Sequence, residues 1–197
     1  VHKYNPKLNV WANEMNWFAP GEPAKPEMGD LSELTQAKHL ARFFSTNAWL
    51  GCGAIWWSLY NSNGIQEWAV IRSSDMTPRA AYYSAGYVST VLDAVKGAPD
   101  IKVEAIGNAP SDLIVKAYRN DLGQVLVGLW RKSSGNNRCK PVAVTLRVSN
   151  VYAASVDLVD TLYGYKQDAA AKHDGNALVF TDLLVGDWPL FVRINHE

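Results

Sequence analysis

Residues 10–17, VWANEMNW, place a single carboxylate where a short apolar strand ends, and they are the first candidate for catalysis. Side chains alternate between the two faces of a strand, so Glu14 shares a face with the small residues Val10 and Ala12. Small side chains fit the lumen of a parallel barrel, and barrel enzymes carry catalytic groups at the carboxyl ends of their strands. The alternative interpretation of Glu14 is an ordinary loop carboxylate just beyond a strand.

Residues 53–61, GAIWWSLYN, are the second candidate because they place two adjacent indole rings near the end of another apolar strand. Ile55 and Trp57 share one face, and Trp56 takes the other. If the two strands have matching registers, Trp57 lies near the mouth of the barrel, where a flat ring can stack on a sugar. Trp56 is then expected to pack under helices, as Trp11 is. The alternative is that Trp56 and Trp57 are both packing residues.

The first of these segments is predicted to belong to a strand–helix unit. Residues 8–13 are expected to form the strand. Asp30 is expected to cap the helix, with Glu33 completing a capping-box-like pair. Apolar residues then recur at helical spacing, and the helix is expected to end near Asn47.

The second segment is predicted to begin another such unit. Residues 52–59 are expected to form a strand, and Thr77 and Pro78 have the types that begin a helix, here continuing to about Val95. Strands that alternate with helices favour βαβ units in a parallel sheet. Two parallel strands cannot close a barrel, and the chain begins at Val1 without a signal peptide. Either upstream units in a longer protein are therefore missing from this chain, or other elements cover the exposed faces of the pair.

The second half of the chain, from about Ile101, is predicted to be all β. Turn sequences separate short alternating segments, and Asp174-Gly175 is typical of a tight hairpin turn. The predicted strands cover residues 102–106, 113–118, 124–130, 142–148, 155–159, 178–180 and 190–194. Seven or eight strands in this length indicate an antiparallel β-sandwich. The predicted fold class is therefore α/β plus all-β.

Composition argues against several classes of function. The 19 basic and 19 acidic residues cancel, which argues against a nucleic-acid partner, and no apolar run reaches the ~18 residues that span a membrane. The histidines lack metal-ligand spacing and no phosphate-binding loop is present, so no metal or cofactor is expected. Cys52 and Cys139 are interpreted as unpaired thiols. Lys38, His39 and Arg42 are interpreted as a solvated helix face.

The order of these motifs resembles the end of the catalytic domain in the large clan of retaining (β/α)8 glycoside hydrolases. The matching features are the carboxylate-ended strand and the segments QAKHLAR at residues 36–42, GAIWWSLY at residues 53–60 and DMTPRAAYY at residues 75–83. The resemblance implies that residues 1–98 are the last two βα units of an incomplete TIM barrel. It also implies that residues 99–197 form the β-sandwich accessory domain that many members carry.

The resemblance further implies which residues act. The nucleophile of this clan is a Glu at the end of the seventh barrel strand, the position that Glu14 matches. An aromatic residue at the end of the eighth strand commonly lines the sugar site, and Trp57 matches it best, with Trp56 second. The substrate would be a glycoside, oligosaccharide or polysaccharide, and the resemblance favours an extracellular or periplasmic location.

A retaining mechanism needs more than Glu14. An ionised nucleophile requires hydrogen-bond donors, for which Asn16, Trp17 and Tyr60 are candidate neighbours. The acid/base group, about 5–5.5 Å from the nucleophile, belongs in this clan to the fourth strand, upstream of Val1. The chain alone is therefore predicted not to hydrolyse glycosides, and the missing N-terminal barrel portion is its expected partner.

Two other functions are weighed against hydrolysis. A β-sandwich can bind carbohydrate without catalysis, which several coplanar exposed aromatic rings would support. The candidate rings are Tyr118, Trp130, Tyr152, Tyr163, Tyr165 and Trp188. Tyr118 and Trp130 are expected in the core, because they lie within alternating strands. The third possibility is a structural module that supports the barrel or mediates assembly, which a Glu14 buried against helices would favour.

Overall fold

A computed structural model of the chain describes residues 9–17, 32–60, 68–132 and 139–195. Two helices and twelve strands lie within these ranges. The elements are β1 (Trp11–Met15), α1 (Glu33–Leu50), β2 (Gly53–Trp56), α2 (Ala80–Val91), β3 (Val95–Gly97), β4 (Val103–Ile106), β5 (Leu113–Asn120), β6 (Val125–Arg131), β7 (Val142–Ser149), β8 (Ser155–Asp160), β9 (Lys166–Asp168), β10 (Lys172–Asp174), β11 (Ala177–Val185) and β12 (Leu190–Asn195). Neither of these helices combines the length and the apolar character that crossing a bilayer requires.

Strands β1 and β2 form a two-stranded parallel sheet, and α1 lies between them in the chain. Trp11 pairs with Gly53 and Met15 pairs with Trp56, with one register shift between these pairs. Glycine is needed at position 53, because a Cβ there would lie 2.4 Å from the ring of Trp11. The predicted order of strand, helix and parallel strand is therefore present, while the closed barrel stays a prediction.

Helix α1 is capped by Ser32, whose Oγ accepts a hydrogen bond from a first-turn amide at 3.2 Å. The predicted cap, Asp30, lies outside the described residues. Glu33 stands at the first helical position and forms ion pairs with Arg72 and Arg79. The capping-box interpretation of Glu33 is therefore replaced by a carboxylate that joins the helix to the segment before α2.

The end of α1 lies beyond the predicted position. Asn47 is still helical, and its side chain donates to the carbonyl oxygen of Phe43 at 2.8 Å. The helix continues to Leu50 and stops at Gly51, which has φ +68° and donates its amide back to the last turn. Glycine adopts this left-handed conformation without a Cβ penalty, so the stop signal was the glycine.

The predicted start of the second helix is wrong. Pro78 lies in an antiparallel bridge with Ile71, and the amide of Thr77 bonds to the side chain of an aspartate two residues earlier. These contacts hold the chain extended, so α2 begins only at Ala80, with Arg79 as its N-cap.

The end of α2 also differs from the prediction, because the helix stops at Val91 and not near Val95. Ala94 has φ +52°, a conformation that a right-handed helix does not contain. Residues Val95–Gly97 then form β3, which pairs with β5. Val95, where the helix was expected to end, is thus the first residue of a strand at the sheet edge.

Strands β3 to β12 form two antiparallel sheets, as predicted for this half of the chain. The six-stranded sheet has the order β3-β5-β6-β12-β8-β9, and the four-stranded sheet has the order β10-β11-β7-β4. Both sheets contribute to one apolar core, including Val127 and Ile194 from the first and Leu146 and Phe180 from the second. A core shared by two facing sheets is the arrangement of a β-sandwich. The hairpin turn at Asp174-Gly175 is confirmed by the direct pairing of β10 with β11.

The two helices pack against the other face of the six-stranded sheet. Tyr118 and Phe191 of this sheet form a separate apolar cluster with Val91 of α2, and Trp49 of α1 packs against it. Tyr118 is fully buried, as predicted, and its hydroxyl donates to the carbonyl oxygen of Ser45 at 2.9 Å. The helices and the sandwich therefore share a continuous contact with a buried hydrogen bond inside it.

Gly97 of β3 offers a test of this contact, because a Cβ there would lie 2.2 Å from the carbonyl oxygen of Trp49. Backbone cannot move aside as a side-chain tip can, so we expect Gly97→Ala to lower the free energy of unfolding by roughly 1–3 kcal/mol. The matched control is Gly86→Ala in α2, where a Cβ meets open space. This change should raise the free energy of unfolding by about 0.5–1 kcal/mol. Urea unfolding measures both, and equal stability of the two variants would contradict the close approach of β3 and α1.

Candidate functional site

Glu14 and Trp57 lie at the carboxyl end of the parallel pair. Trp57 directly follows β2, and its amide donates to the carbonyl oxygen of Met15 at 2.8 Å. The strand was expected to end just before Glu14. Instead, β1 includes Glu14 and ends one residue later, at Met15. The two candidates therefore occupy neighbouring strands beside one shared hydrogen bond. The peptide bond between Trp57 and Ser58 is cis.

The Glu14 side chain is exposed. Among the residues that the structure describes, none provides its carboxylate with a hydrogen bond or an ion pair. Asn16 and Trp17 are half-buried and Tyr60 is exposed, so these candidate neighbours lie near the strand ends without engaging the carboxylate. The exposure of Glu14 does not match the structural-module interpretation, which would bury this carboxylate against helices.

The three tryptophans of the parallel pair have different surroundings. Trp57 is 51% exposed. Trp56 is half-buried and meets the ring of Phe43 edge-on, with centroids 6.2 Å apart, so it packs under α1 as predicted. The prediction that Trp11 packs under helices is wrong, because it is 61% exposed and its ring lies over Gly53, where the strand has no side chain.

Gln36 of α1 connects the segments that follow β1 and β2. It was not among the residues predicted to form the site. Its Nε2 donates to the carbonyl oxygen of Trp17 at 2.9 Å and to that of Trp68 at 3.0 Å. The side chain is fully buried. A polar amide on the apolar face of a helix is the signal that could have revealed it, since a buried amide needs partners. Gln36 thus fixes the backbone near the end of the sheet where the candidates lie.

The prediction that Lys38, His39 and Arg42 form a solvated face is wrong. Lys38 is buried with its ammonium 2.7 Å from the carboxylate of Asp187, and Arg42 lies 3.6 Å from the same carboxylate. The ring of His39 stacks on that of Trp17, with centroids 3.8 Å apart. Asp187, between β11 and β12, covers this face from the sandwich, and the spacing within α1 does not reveal a partner so distant in the chain.

Burial lowers the pKa of His39 from 6.5 to about 4. The positive charges of Arg42 and Lys38 act in the same direction, whereas Asp187 acts in the opposite one. His39 is therefore neutral at pH 7 in the folded chain. Its stacking on Trp17 supports the segment after β1 as a packing contact without a charge.

The aromatic residues of the sandwich divide into core and surface. Trp130 is buried, as predicted. Tyr163 and Tyr165 are exposed, with ring centroids 6.2 Å apart and ring planes 29° apart. Trp188 is half-buried and meets Tyr163 edge-on at 5.8 Å, while Tyr152 is exposed between β7 and β8. The described part of the sandwich thus presents one pair of stacked, exposed tyrosine rings.

The remaining candidate groups near the helices are a carboxylate and two thiols. The carboxylate of Glu33 forms ion pairs with Arg72 and Arg79. Cys52 and Cys139 are free thiols, as predicted. Across the described part of the chain, no group of three or more His, Cys, Asp or Glu side chains is arranged to hold a metal ion.

The fold is similar to part of a solved xylanase domain. The catalytic domain of GH30 xylanase C from Talaromyces cellulolyticus aligns with a TM-score of 0.56 and 16% identity, over 98% of this chain and 42% of that chain. The endo-β-1,6-glucanase BT3312 aligns with a TM-score of 0.48 and 14% identity, over 100% of this chain and 37% of that chain. No protein-family model and no curated protein matches the sequence. The chain therefore shares the fold of part of the xylanase domain, and it spans less than half the length of either protein.

The lowered pKa of His39 predicts how stability depends on pH. The unfolded chain binds a proton at His39 below about pH 6.5, whereas the folded chain does so only near pH 4, so stability should fall as the pH falls through this window. His39→Phe keeps a ring against Trp17 but cannot titrate. Between pH 7 and pH 4.5, we expect the free energy of unfolding to fall by about 1 kcal/mol less in this variant than in the parent, allowing for partial exposure. Urea unfolding at both pH values measures this, and identical pH dependence in the two proteins would contradict the burial of a neutral His39.

Proposed function

We propose that this chain is part of a retaining glycoside hydrolase in which Glu14 is the nucleophile and Trp57 supports a sugar ring. The hydrogen bond from the Trp57 amide to the Met15 carbonyl is the observation that most supports the proposal. It keeps a carboxylate and an exposed indole on adjacent parallel strands, at the end where barrel enzymes carry their catalytic groups.

The proposed reaction proceeds in two displacements. The ionised carboxylate of Glu14 attacks the anomeric carbon while a carboxylic acid across the site protonates the departing glycosidic oxygen. Water, deprotonated by that same group, then attacks the anomeric carbon and releases Glu14, so the configuration of the sugar is retained. The clan resemblance assigns the second carboxyl group to an upstream strand, and this chain supplies only the nucleophile.

Exposed apolar side chains on the parallel pair support a larger barrel. Ile55, Trp57 and Leu59 are exposed on the β2 side, and Trp11 and Met15 are exposed on β1. Parallel sheets are normally covered on both faces, so a pair with this much exposed apolar surface requires further elements. We infer that the remaining barrel strands cover these side chains and supply the hydrogen-bond donors that an ionised Glu14 needs.

The isolated 197-residue chain should therefore be inactive. We expect it to release no reducing sugar from arabinoxylan and no aryl alcohol from a panel of aryl glycosides, because it lacks the acid/base group. Circular dichroism verifies that the chain is folded during the assay. Turnover by the isolated chain that disappears in Glu14→Gln would contradict the division of the catalytic pair between two parts of a protein.

In a protein that also contains the upstream barrel strands, Glu14 should be covalently trapped. An activated 2-deoxy-2-fluoro glycoside of the hydrolysed sugar forms a slowly released ester with the nucleophile, and peptide mass spectrometry locates it. Glu14→Gln should abolish labelling and lower kcat by roughly 10⁴-fold, the scale observed when a group that acts on the reacting atoms is removed.

Glu104→Gln is the matched control. This carboxylate lies on β4 of the sandwich and forms an ion pair with Lys102, which directly precedes that strand. It should be labelled and turn over substrate as the parent does. An ester found on another carboxylate, with full labelling of Glu14→Gln, would remove Glu14 from the catalytic role.

A further inference from the structure

We propose that the β-sandwich carries a second, non-catalytic binding site for neutral polysaccharide, formed by Tyr165 and the cavity beside it. The site belongs to β8, β9, β11, β12 and the turn between β8 and β9. None of these elements contains Glu14 or Trp57. Binding here therefore stands independently of the proposed catalytic function.

A cavity of about 490 Å³ opens beside Tyr165, within the size range of small-ligand sites. Its apolar lining includes Leu158, Leu183 and Leu190, and its polar lining includes Gln167, Asp168, Thr181 and Asp182. A sugar ring has apolar C–H faces and a rim of hydroxyl groups. The cavity offers a surface for the first and hydrogen-bond partners for the second.

Tyr165 supplies an aromatic surface at the edge of this cavity. It is 70% exposed and lines the cavity, while Tyr163 stacks against it with centroids 6.2 Å apart. At 70% exposure, most of the Tyr165 side chain is open to solvent even with Tyr163 beside it. This exposed surface is where the apolar face of a sugar can stack.

The turn that holds both tyrosines is fixed before any ligand binds. Asp160 accepts hydrogen bonds from two turn amides at 2.8 Å each and from Nε1 of Trp188 at 2.9 Å. Gly164 has φ +73° and lies against α2, since a Cβ there would be 2.3 Å from the ring of Tyr87. A rigid aromatic surface loses little conformational freedom on binding, which favours affinity.

Strand β11 is irregular where it borders the cavity. Its register with β7 shifts between Phe180 and Leu183, and Asp182 has φ +57°. The two residues inside this shift, Thr181 and Asp182, are exposed and line the cavity. Bulges of this kind re-aim side chains near functional sites, and here the bulge directs polar groups to the cavity.

The charge of the site selects among polysaccharides. Asp168 and Asp182 are both exposed carboxylates that line the cavity. Carboxylates accept hydrogen bonds from sugar hydroxyls but repel the carboxylates of uronic acids. We therefore assign the site to neutral polysaccharides and not to polyuronates.

Native affinity electrophoresis tests this assignment. The 197-residue chain carries Glu14→Gln, so that the result does not depend on whether the chain is active, and the gels contain arabinoxylan, β-glucan, galactomannan or polygalacturonate. At least one neutral polymer should retard the protein, and polygalacturonate should not. Tyr165→Ala should raise the Kd derived from the retardation by about tenfold, because it removes one stacked aromatic contact. Tyr165→Trp, which keeps a ring, should retain the retardation, and thermal unfolding verifies that each variant is folded.

The matched control is Tyr152→Ala, because Tyr152 is 71% exposed but lies beyond the opposite end of β8. It should bind as the Glu14→Gln parent does. Absence of retardation by all neutral polymers, or retardation that Tyr165→Ala leaves unchanged, would overturn the proposal. Equal losses in Tyr165→Ala and Tyr152→Ala would do the same. Each of these outcomes leaves the trapping experiment at Glu14 unaffected, so the two proposals fail separately.

Discussion

The buried ion pair between Lys38 and Asp187 joins α1 to the sandwich, and the placement of the candidate catalytic residues depends on this joint. Removing one partner of a buried pair leaves an uncompensated charge and costs about 3–5 kcal/mol, so both partners must be present for α1 to pack against its sheet. On the same helix, Gln36 holds the segments that follow β1 and β2. Helix α1 is therefore one of the elements that tie the positions of Glu14 and Trp57 to the sandwich.

Much of the architecture was predictable because it follows from local patterns. Alternating apolar residues indicated the main strands of the sandwich, and the sequence Asp174-Gly175 indicated the hairpin between β10 and β11. The same alternation placed Trp56 and Trp57 on opposite faces, in agreement with one ring packed under α1 and one exposed. These features depend on side-chain direction over a few residues, which the strand geometry determines.

The features that were not predicted arise from contacts between distant segments. Lys38 and Arg42 have the composition of a solvated face, and only the arrival of Asp187 makes their burial favourable. Thr77 and Pro78 have the types of a helix start, yet the bridge between Pro78 and Ile71 keeps them extended. The proposed role of Glu14 also depends on distant segments, because the groups that would make its carboxylate nucleophilic are proposed to come from other strands.

The contact between Gly164 and Tyr87 has a consequence for how a polymer would meet the two proposed sites. The turn between β8 and β9, which contains Tyr163 and Tyr165, contacts α2 directly. Binding modules in many modular proteins are instead connected by flexible linkers. A flexible linker only raises the local concentration of a tethered ligand. A rigid contact also fixes direction, so that a glycan bound at the proposed sandwich site would approach the proposed catalytic site along one defined path.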